Sequence, residues 1–109
     1  MKKIKINTAK FMIGQIVYHK RNCYRGVIVD VDPVFSGTSR WYVAMAKSKP
    51  PKNMPWYHIL VDGEDHMTYV AERNLDNDIT SDPVDHPLLD LFFNEKAKRL
   101  YYNSASTLN

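Results

Sequence analysis

Apolar and polar residues alternate in the first third of the chain, which is the pattern typical of β-strands. FMIGQIVYHK, residues 11–20, predicts a first strand, and the RNCY segment after it predicts a turn. YRGVIVDVDP, residues 24–33, predicts a longer second strand, because β-branched residues favour a pleated backbone and a terminal proline ends the ladder. Strict alternation divides this second strand into two faces, one with Val27, Val29 and Val31 and the other with Ile28, Asp30 and Asp32.

A second alternating stretch, PWYHILVDGEDHMTYV at residues 55–70, predicts a hairpin with a short turn around Gly63. If Asp62 lies opposite Asp65, pleating places His58 directly across from Tyr69. One face of the hairpin then carries Trp56, His58, Leu60, Met67, Tyr69 and Ala71. The other face carries Tyr57, Ile59, Val61, His66, Thr68 and Val70.

The remaining segments are less regular. SRWYVAMAKS, residues 39–48, fits either a short helix or one more strand, and ERNL, residues 72–75, predicts a single helical turn. HPLLDLFFNEKAKRLYY, residues 86–102, has apolar residues at spacings of three and four, which is typical of an amphipathic helix. Several short strands with one terminal helix predict a mainly β fold, a small curled sheet or barrel.

The length of 109 residues predicts one domain. We expect a basic N-terminal arm at residues 1–9, a β-barrel domain at 10–80, a connector and C-terminal helix at 81–102, and a disordered polar tail at 103–109.

Composition excludes several classes of protein. No apolar run approaches the roughly 20 residues that a membrane span requires, and the lysine-rich start lacks the unbroken apolar stretch and cleavage site of a signal peptide. The single cysteine, Cys23, excludes an intrachain disulfide and a cysteine-based zinc site. We therefore expect a cytoplasmic protein with no membrane partner.

The net charge of +3 conceals a marked asymmetry. Residues 1–55 carry eleven basic and two acidic residues, a balance of +9, whereas residues 56–109 carry four basic and ten acidic residues, a balance of −6. A basic half indicates an anionic partner such as a phosphate backbone, and an acidic half indicates a second surface, although chance scatter of charge on a solvated domain explains the pattern equally well.

Catalytic chemistry finds little support. His19 and Cys23 could serve as base and nucleophile, but a turn between strands offers no third group to orient them, so an ordinary thiol is the favoured interpretation. Asp30 and Asp32 could pair as acid and base, but a solvent-facing or turn-capping role beside Pro33 is favoured.

Metal binding is equally weakly supported. His58 and His66 fall on opposite faces of the predicted hairpin and cannot share an ion there. The turn carboxylates of Asp62, Glu64 and Asp65 lack the spacing of a calcium loop. We therefore expect no enzyme, no metal and no cofactor.

Binding is the better supported alternative. Basic residues in two loop regions could form a positive rim that contacts DNA phosphates, with Trp41 or Tyr42 available for stacking. The candidate DNA-binding residues are Lys20, Arg21, Arg25, Arg40, Lys47, Lys49 and Lys52. Aromatic positions of the hairpin are mainly expected to form barrel wall, and the candidates for a protein-binding surface are Trp56, His58 and Tyr69.

Four segments taken in order, FMIGQIVYHK, YRGVIVDVDPVF, PWYHILVDG and TYVAERNL, resemble the YccV-like, hemimethylated-DNA-binding domain family. The match covers roughly residues 10–75. The resemblance implies a partly open SH3-like barrel whose last strand is interrupted by a helical turn. The positions that match the family pattern, most of which are expected to define the fold, are Tyr24, Gly26, Asp30, Asp32, Pro33, Tyr57, His58, Tyr69 and Asn74.

The resemblance also implies function. Members of the family are associated with the heat-shock response, with binding of hemimethylated DNA at replication origins, and with proteolysis, as a specificity-enhancing factor for the Lon protease that affects degradation of the initiator DnaA. Three hypotheses follow, in this order: a regulator of Lon-type proteolysis, a hemimethylated-DNA-binding module, and a peptide-binding SH3-like barrel. An exposed sheet edge would also permit a homo-oligomer, although no residue pattern fixes its size.

Overall fold

The computed structural model describes residues 8–80 and 82–93, which are organised around a five-stranded antiparallel sheet. The strands, in the sheet order β4-β3-β2-β1-β5, are β1 (Ile16–His19), β2 (Tyr24–Asp32), β3 (Trp56–Val61), β4 (Met67–Ala71) and β5 (Leu75–Asn77). The helices are α1 (Ser39–Met45), a 3-10 turn (Glu72–Asn74) and α2 (Leu89–Phe92). The sheet curls without closing, which confirms the predicted mainly β fold and agrees with a partly open barrel. No helix of the described residues is long and apolar enough to cross a membrane.

The β3–β4 hairpin forms in the predicted register. His58 lies opposite Tyr69, and the pairing runs without interruption from Trp56 with Ala71 to Leu60 with Met67. The 3-10 turn follows β4 where a helical turn was predicted, and it leads the chain across to β5 on the far side of the sheet.

The strict alternation predicted for β2 is wrong, because a β-bulge shifts the register between Ile28 and Asp30. Ile28 pairs with Ile59, whereas Val31 pairs with Tyr57, so both point to the same side of the sheet. An extra residue in one strand reverses the faces of everything after it. Val31 thereby joins the concave core, and Asp30 and Asp32 turn to the convex face, beside His58.

The concave face of the sheet holds the main hydrophobic core. Its buried members come from the N-terminal segment, four strands and the start of β5: Phe11, Val17, Ile28, Tyr57, Ile59, Val70 and Leu75. Two hydrogen bonds of the Tyr57 hydroxyl join the 3-10 turn and the N-terminal segment to the sheet beside this core. Tyr57 donates a hydrogen bond to Glu72 Oε1 at 2.6 Å and accepts one from the Phe11 N–H at 3.2 Å.

The convex face is covered at both ends. At one end Val84, Leu89 and Phe93 pack on Ile16, Val27, Val29 and Leu60. At the other end the segment from Phe35 to Tyr42, which includes the start of α1, packs on Trp56 and Tyr69. Thr38 caps α1 by accepting a hydrogen bond from the Trp41 N–H at 3.0 Å, which selects the helix from the two structures that SRWYVAMAKS allowed.

Among the described residues, the helix predicted for residues 86–102 forms only over Leu89–Phe92. α2 ends at Phe92, and Phe93 has extended backbone and turns its ring into the convex core. The rest of that prediction, with the predicted tail and most of the predicted arm, falls on residues 94–109 and 1–7, outside the described residues.

Candidate binding groove

A groove of about 720 Å³ runs over β4, the strand at one end of the sheet. One wall is the end of α1 and the loop after it, which contribute Met45, Lys47 and Ser48. The opposite wall is the β1–β2 turn, which contributes His19, Arg21 and Asn22. The floor is the β4 strand itself, so the groove has a strand edge at its centre.

Aromatic rings form one side of the groove. Trp41, Trp56 and Tyr69 all line it, and their ring centroids lie 5.2–6.1 Å apart, in tilted or edge-to-face contacts. Phe35 and Tyr42 complete the cluster behind them. Trp56, predicted as a surface residue, is only 2% exposed and donates its indole N–H to the Pro51 carbonyl at 3.1 Å. Tyr69 and Trp41, which are half-buried, offer the accessible ring surface.

The Tyr69 hydroxyl makes two hydrogen bonds, and the Tyr69 ring contacts His58. The hydroxyl donates to Asp32 Oδ2 at 2.6 Å and accepts from the Ser36 N–H at 3.0 Å, and the ring packs on His58 at a tilt of 40° with centroids 4.6 Å apart. Burial, followed by the hydrogen bond to Asp32, raises the pKa of Tyr69 to about 12. The phenol is therefore neutral at physiological pH and can donate to Asp32.

His58 and the two aspartates of β2 lie together on the convex face. His58 Nε2 lies 3.1 Å from Asp32 Oδ2, and ligand atoms of Asp30, Asp32 and His58 lie within 4.8 Å of one another. These atoms already have protein partners, since Asp30 accepts from the Val31 N–H and Asp32 accepts from Tyr69. Asp32 thereby joins the Tyr69 hydroxyl to the His58 imidazole on the convex face.

The β1–β2 turn is organised by His19. Its Nδ1 accepts hydrogen bonds from the backbone N–H groups of Arg21 and Asn22 at 3.2 and 3.0 Å. Burial, followed by the nearby positive charge of Arg21, lowers the pKa of His19 and keeps it a neutral acceptor. His19 therefore serves to shape the turn that carries Arg21, and Cys23 completes this turn with a positive φ of 55°.

The predicted DNA-contacting residues separate into three groups. Arg21 and Lys47 lie on opposite walls of the groove. Four others are exposed outside its lining, and two of these lie over aromatic rings, with Lys52 Nζ 4.3 Å and Lys49 Nζ 5.8 Å from the Tyr42 centroid. These four residues are Lys20, Arg40, Lys49 and Lys52.

Arg25 already pairs with carboxylates of the protein. Its guanidinium pairs with Asp62 at 2.8 Å and with Asp78 at 3.0 Å, and it also donates to the Asp82 carbonyl. The carboxylate of Asp62 in turn accepts from the Asp85 N–H. Arg25 therefore ties the chain between β5 and α2 to the sheet. We call the described residues of this segment, 78–80 and 82–88, the connector.

The amino-acid sequence gives no indication that a groove lies over β4. Arg21 and Lys47 were predicted as members of one rim, but nothing in their spacing shows that β4 lies between them. Among the described residues, no Asp or Glu lines the groove, whereas one arginine and one lysine do, Arg21 and Lys47. The surface is suited to an anionic or acidic ligand.

A comparison with known protein families gives a match over most of the chain. The model of the family described as "Hemimethylated DNA-binding protein YccV like" covers residues 9–99. This range includes the whole groove and extends beyond the segments that carried the resemblance in the sequence.

Proposed function

Because the chain belongs to the YccV-like family of hemimethylated-DNA-binding proteins, we propose that it is a non-enzymatic regulator that acts through the groove over β4. Its resemblance to the heat-shock protein HspQ supports the specific role: a cytoplasmic, specificity-enhancing factor for a Lon-type protease that affects degradation of DnaA. The observation that carries this proposal is the groove, in which a strand edge, half-buried aromatic rings and positive walls converge.

A binding protein can change what a protease degrades only by contacting some of its states or substrates in preference to others. The groove supplies the means of such preference. Aromatic rings give apolar contact and lose little conformational entropy on binding, because they have few rotatable bonds. Arg21 and Lys47 give long-range attraction to acidic segments. A substrate segment or a protease segment that carries both features would be selected.

Degradation of purified DnaA by Lon, followed by gel densitometry, tests the proposal. The wild-type chain should accelerate degradation, and the double variant Arg21→Glu/Lys47→Glu should lose most of that effect. Lys20→Glu/Arg40→Glu is the matched control, because it makes the same change of charge in the same two regions outside the groove lining. It should retain the effect.

Two results would contradict the proposal. Unchanged degradation with the wild-type chain would contradict the protease role. Equal loss in both double variants would contradict the role of the groove and would indicate a dependence on overall charge alone.

DNA recognition is the second candidate function. Membership of a family described as hemimethylated-DNA-binding and the exposed cations around the groove favour it. Fluorescence anisotropy of GATC-containing duplexes, unmethylated, hemimethylated and fully methylated, at two salt concentrations, tests it. A several-fold preference for the hemimethylated duplex that persists at the higher salt concentration would support specific recognition. Weak binding that is equal for all three duplexes and lost with salt would exclude it.

A further inference from the structure

The backbone of β4 presents hydrogen-bonding groups to the groove. In the β3–β4 hairpin the Val61 N–H donates to the His66 carbonyl, and beyond the other end the Glu72 N–H donates to the Pro55 carbonyl. Hydrogen-bonded and non-hydrogen-bonded pairs alternate in an antiparallel ladder, so Thr68 and Val70 bond to β3. Met67 and Tyr69 therefore direct their N–H and C=O groups away from the sheet.

This edge lacks the usual protection against strand pairing. Natural sheets block exposed edges with charged residues, prolines, bulges or a covering segment. β4 reads MTYVA, without a charge or a proline, and it pairs with β3 in an unbroken register. Met67 is 44% exposed. Among the described residues β4 has β3 as its single neighbouring strand, and the space beside it is the groove.

The charge of the walls determines which strand fits. Arg21 and Lys47 flank the edge and no described acidic residue lines the groove. The segments of this chain outside the described residues are poor complements, because residues 1–7 have a charge balance of +3 and residues 94–109 a balance of +2. A second copy would bring the same two positive walls against each other.

From these observations we infer that the groove binds an extended acidic segment of a partner polypeptide, which adds to β4 as a sixth strand. This inference rests on the proposed function and specifies the ligand that the regulator recognises. The added strand would lie about 4.8 Å from β4 and exchange hydrogen bonds with Met67 and Tyr69. Its side chains would alternate between the aromatic side of the groove, with Trp41, and the side of the β1–β2 turn, with Tyr24.

The probe for this inference is a short fluorescein-labelled peptide in which Glu and Asp alternate with Thr and Val. Its binding to the full chain is measured by anisotropy, and amide hydrogen exchange is followed by NMR. Binding should slow the exchange of the Met67 and Tyr69 amides, which face the groove, by at least about tenfold. Thr68 and Val70 should be slow in both states, because their amides bond to β3.

Met67→Pro is the decisive variant. It removes a donor that β3 does not use, at an edge position where proline is tolerated. Met67→Thr is the control, because it shortens the same side chain and keeps the donor. Met67→Pro should weaken the peptide about tenfold, as expected for a lost hydrogen bond and local misfit, whereas Met67→Thr should bind within about twofold of the wild-type chain.

A second measurement does not depend on how the proline variant folds. Methylating alternate backbone nitrogens of the peptide removes the donors that would face β4, without changing its charge. Equal affinity of the methylated and unmodified peptides would overturn the inference, as would exchange protection confined to residues outside β4. A peptide with lysine in place of glutamate that bound as tightly as the acidic peptide would also overturn the inference. The same holds if β4 becomes protected without any peptide, through self-association of the chain.

Failure of the inference is distinguishable from failure of the proposed function. If Met67→Pro accelerates DnaA degradation as well as the wild-type chain does, while Arg21→Glu/Lys47→Glu does not, the groove acts without strand addition and the inference is wrong. If the wild-type chain has no effect on degradation but binds the acidic peptide through β4, the protease role is wrong and the inference stands.

Discussion

Replacing Arg25 by methionine should destabilise the protein substantially and leave the groove walls in place. The Arg25 side chain is 20% exposed and joins the 25%-exposed Asp62 to the 5%-exposed Asp78. Methionine keeps much of the aliphatic stem but leaves the Asp78 carboxylate without its cation. Among the described residues, the Thr80 hydroxyl is the donor that remains to this carboxylate.

The magnitude follows from this geometry. Removing one partner of a fully buried ion pair costs about 3–5 kcal/mol. Partial exposure of Arg25 and Asp62 lets water screen part of the interaction, so we expect a loss of about 2–4 kcal/mol. For a domain of this size such a loss lowers Tm by roughly 10–20 °C.

Thermal unfolding followed by circular dichroism measures the effect, and a second substitution identifies its cause. Asp78→Asn in the Arg25→Met background removes the unpaired charge and should recover about half of the lost stability. Lys20→Met, at an exposed position five residues earlier, should change stability by less than about 0.5 kcal/mol. If Arg25→Met lowers Tm no more than Lys20→Met does, Arg25 is not the residue that anchors the connector.

Three further predictions concern a glycine of β2, two tyrosines of the sheet and the thiol in the β1–β2 turn. Gly26→Ala should unfold the chain or destabilise it by more than about 3 kcal/mol in urea titrations, because a Cβ there would lie 2.3 Å from the Ile59 side chain and 2.6 Å from a backbone oxygen. Burial, followed by hydrogen bonds to carboxylates, raises the pKa of Tyr57 and Tyr69 to about 12. The folded state therefore holds these protons more tightly than the unfolded chain does. For that reason, the free energy of unfolding should fall as pH rises from about 10 to 12. Tyr57→Phe should flatten that fall in pH-dependent unfolding, and an unchanged slope would refute the assignment. Cys23→Ser should leave DnaA degradation and peptide binding unchanged, whereas loss of either would revive a role for the thiol.

The hairpin shows how much the sequence determines locally. Register in a short hairpin depends on the turn length and on which face is apolar. Both can be determined from the sequence of residues 55–70. The predicted pairing of His58 with Tyr69 is confirmed for that reason. The 3-10 turn after β4 is likewise local, and its place is confirmed.

The features that the sequence did not reveal depend on contacts between distant residues. The β-bulge at Ile28–Asp30 is fixed by how β2 pairs with β3, almost 30 residues later, and a run of alternating valines gives no sign of it. Arg25 resembled the other loop cations until the structure placed it between Asp62 and Asp78. The groove combines a turn, a loop and a strand edge that only the tertiary fold brings together.

Photo-cross-linking in the working assembly of this chain, Lon and DnaA shows whether the groove is the surface that binds the partner. A benzophenone amino acid is placed either at Met67, in the groove, or at Ile79, which is 92% exposed and outside the groove lining. We predict a cross-link to DnaA or to Lon from Met67, and none from Ile79. Cross-links from Ile79 with none from Met67 would rule out the groove and place the binding surface elsewhere on the molecule.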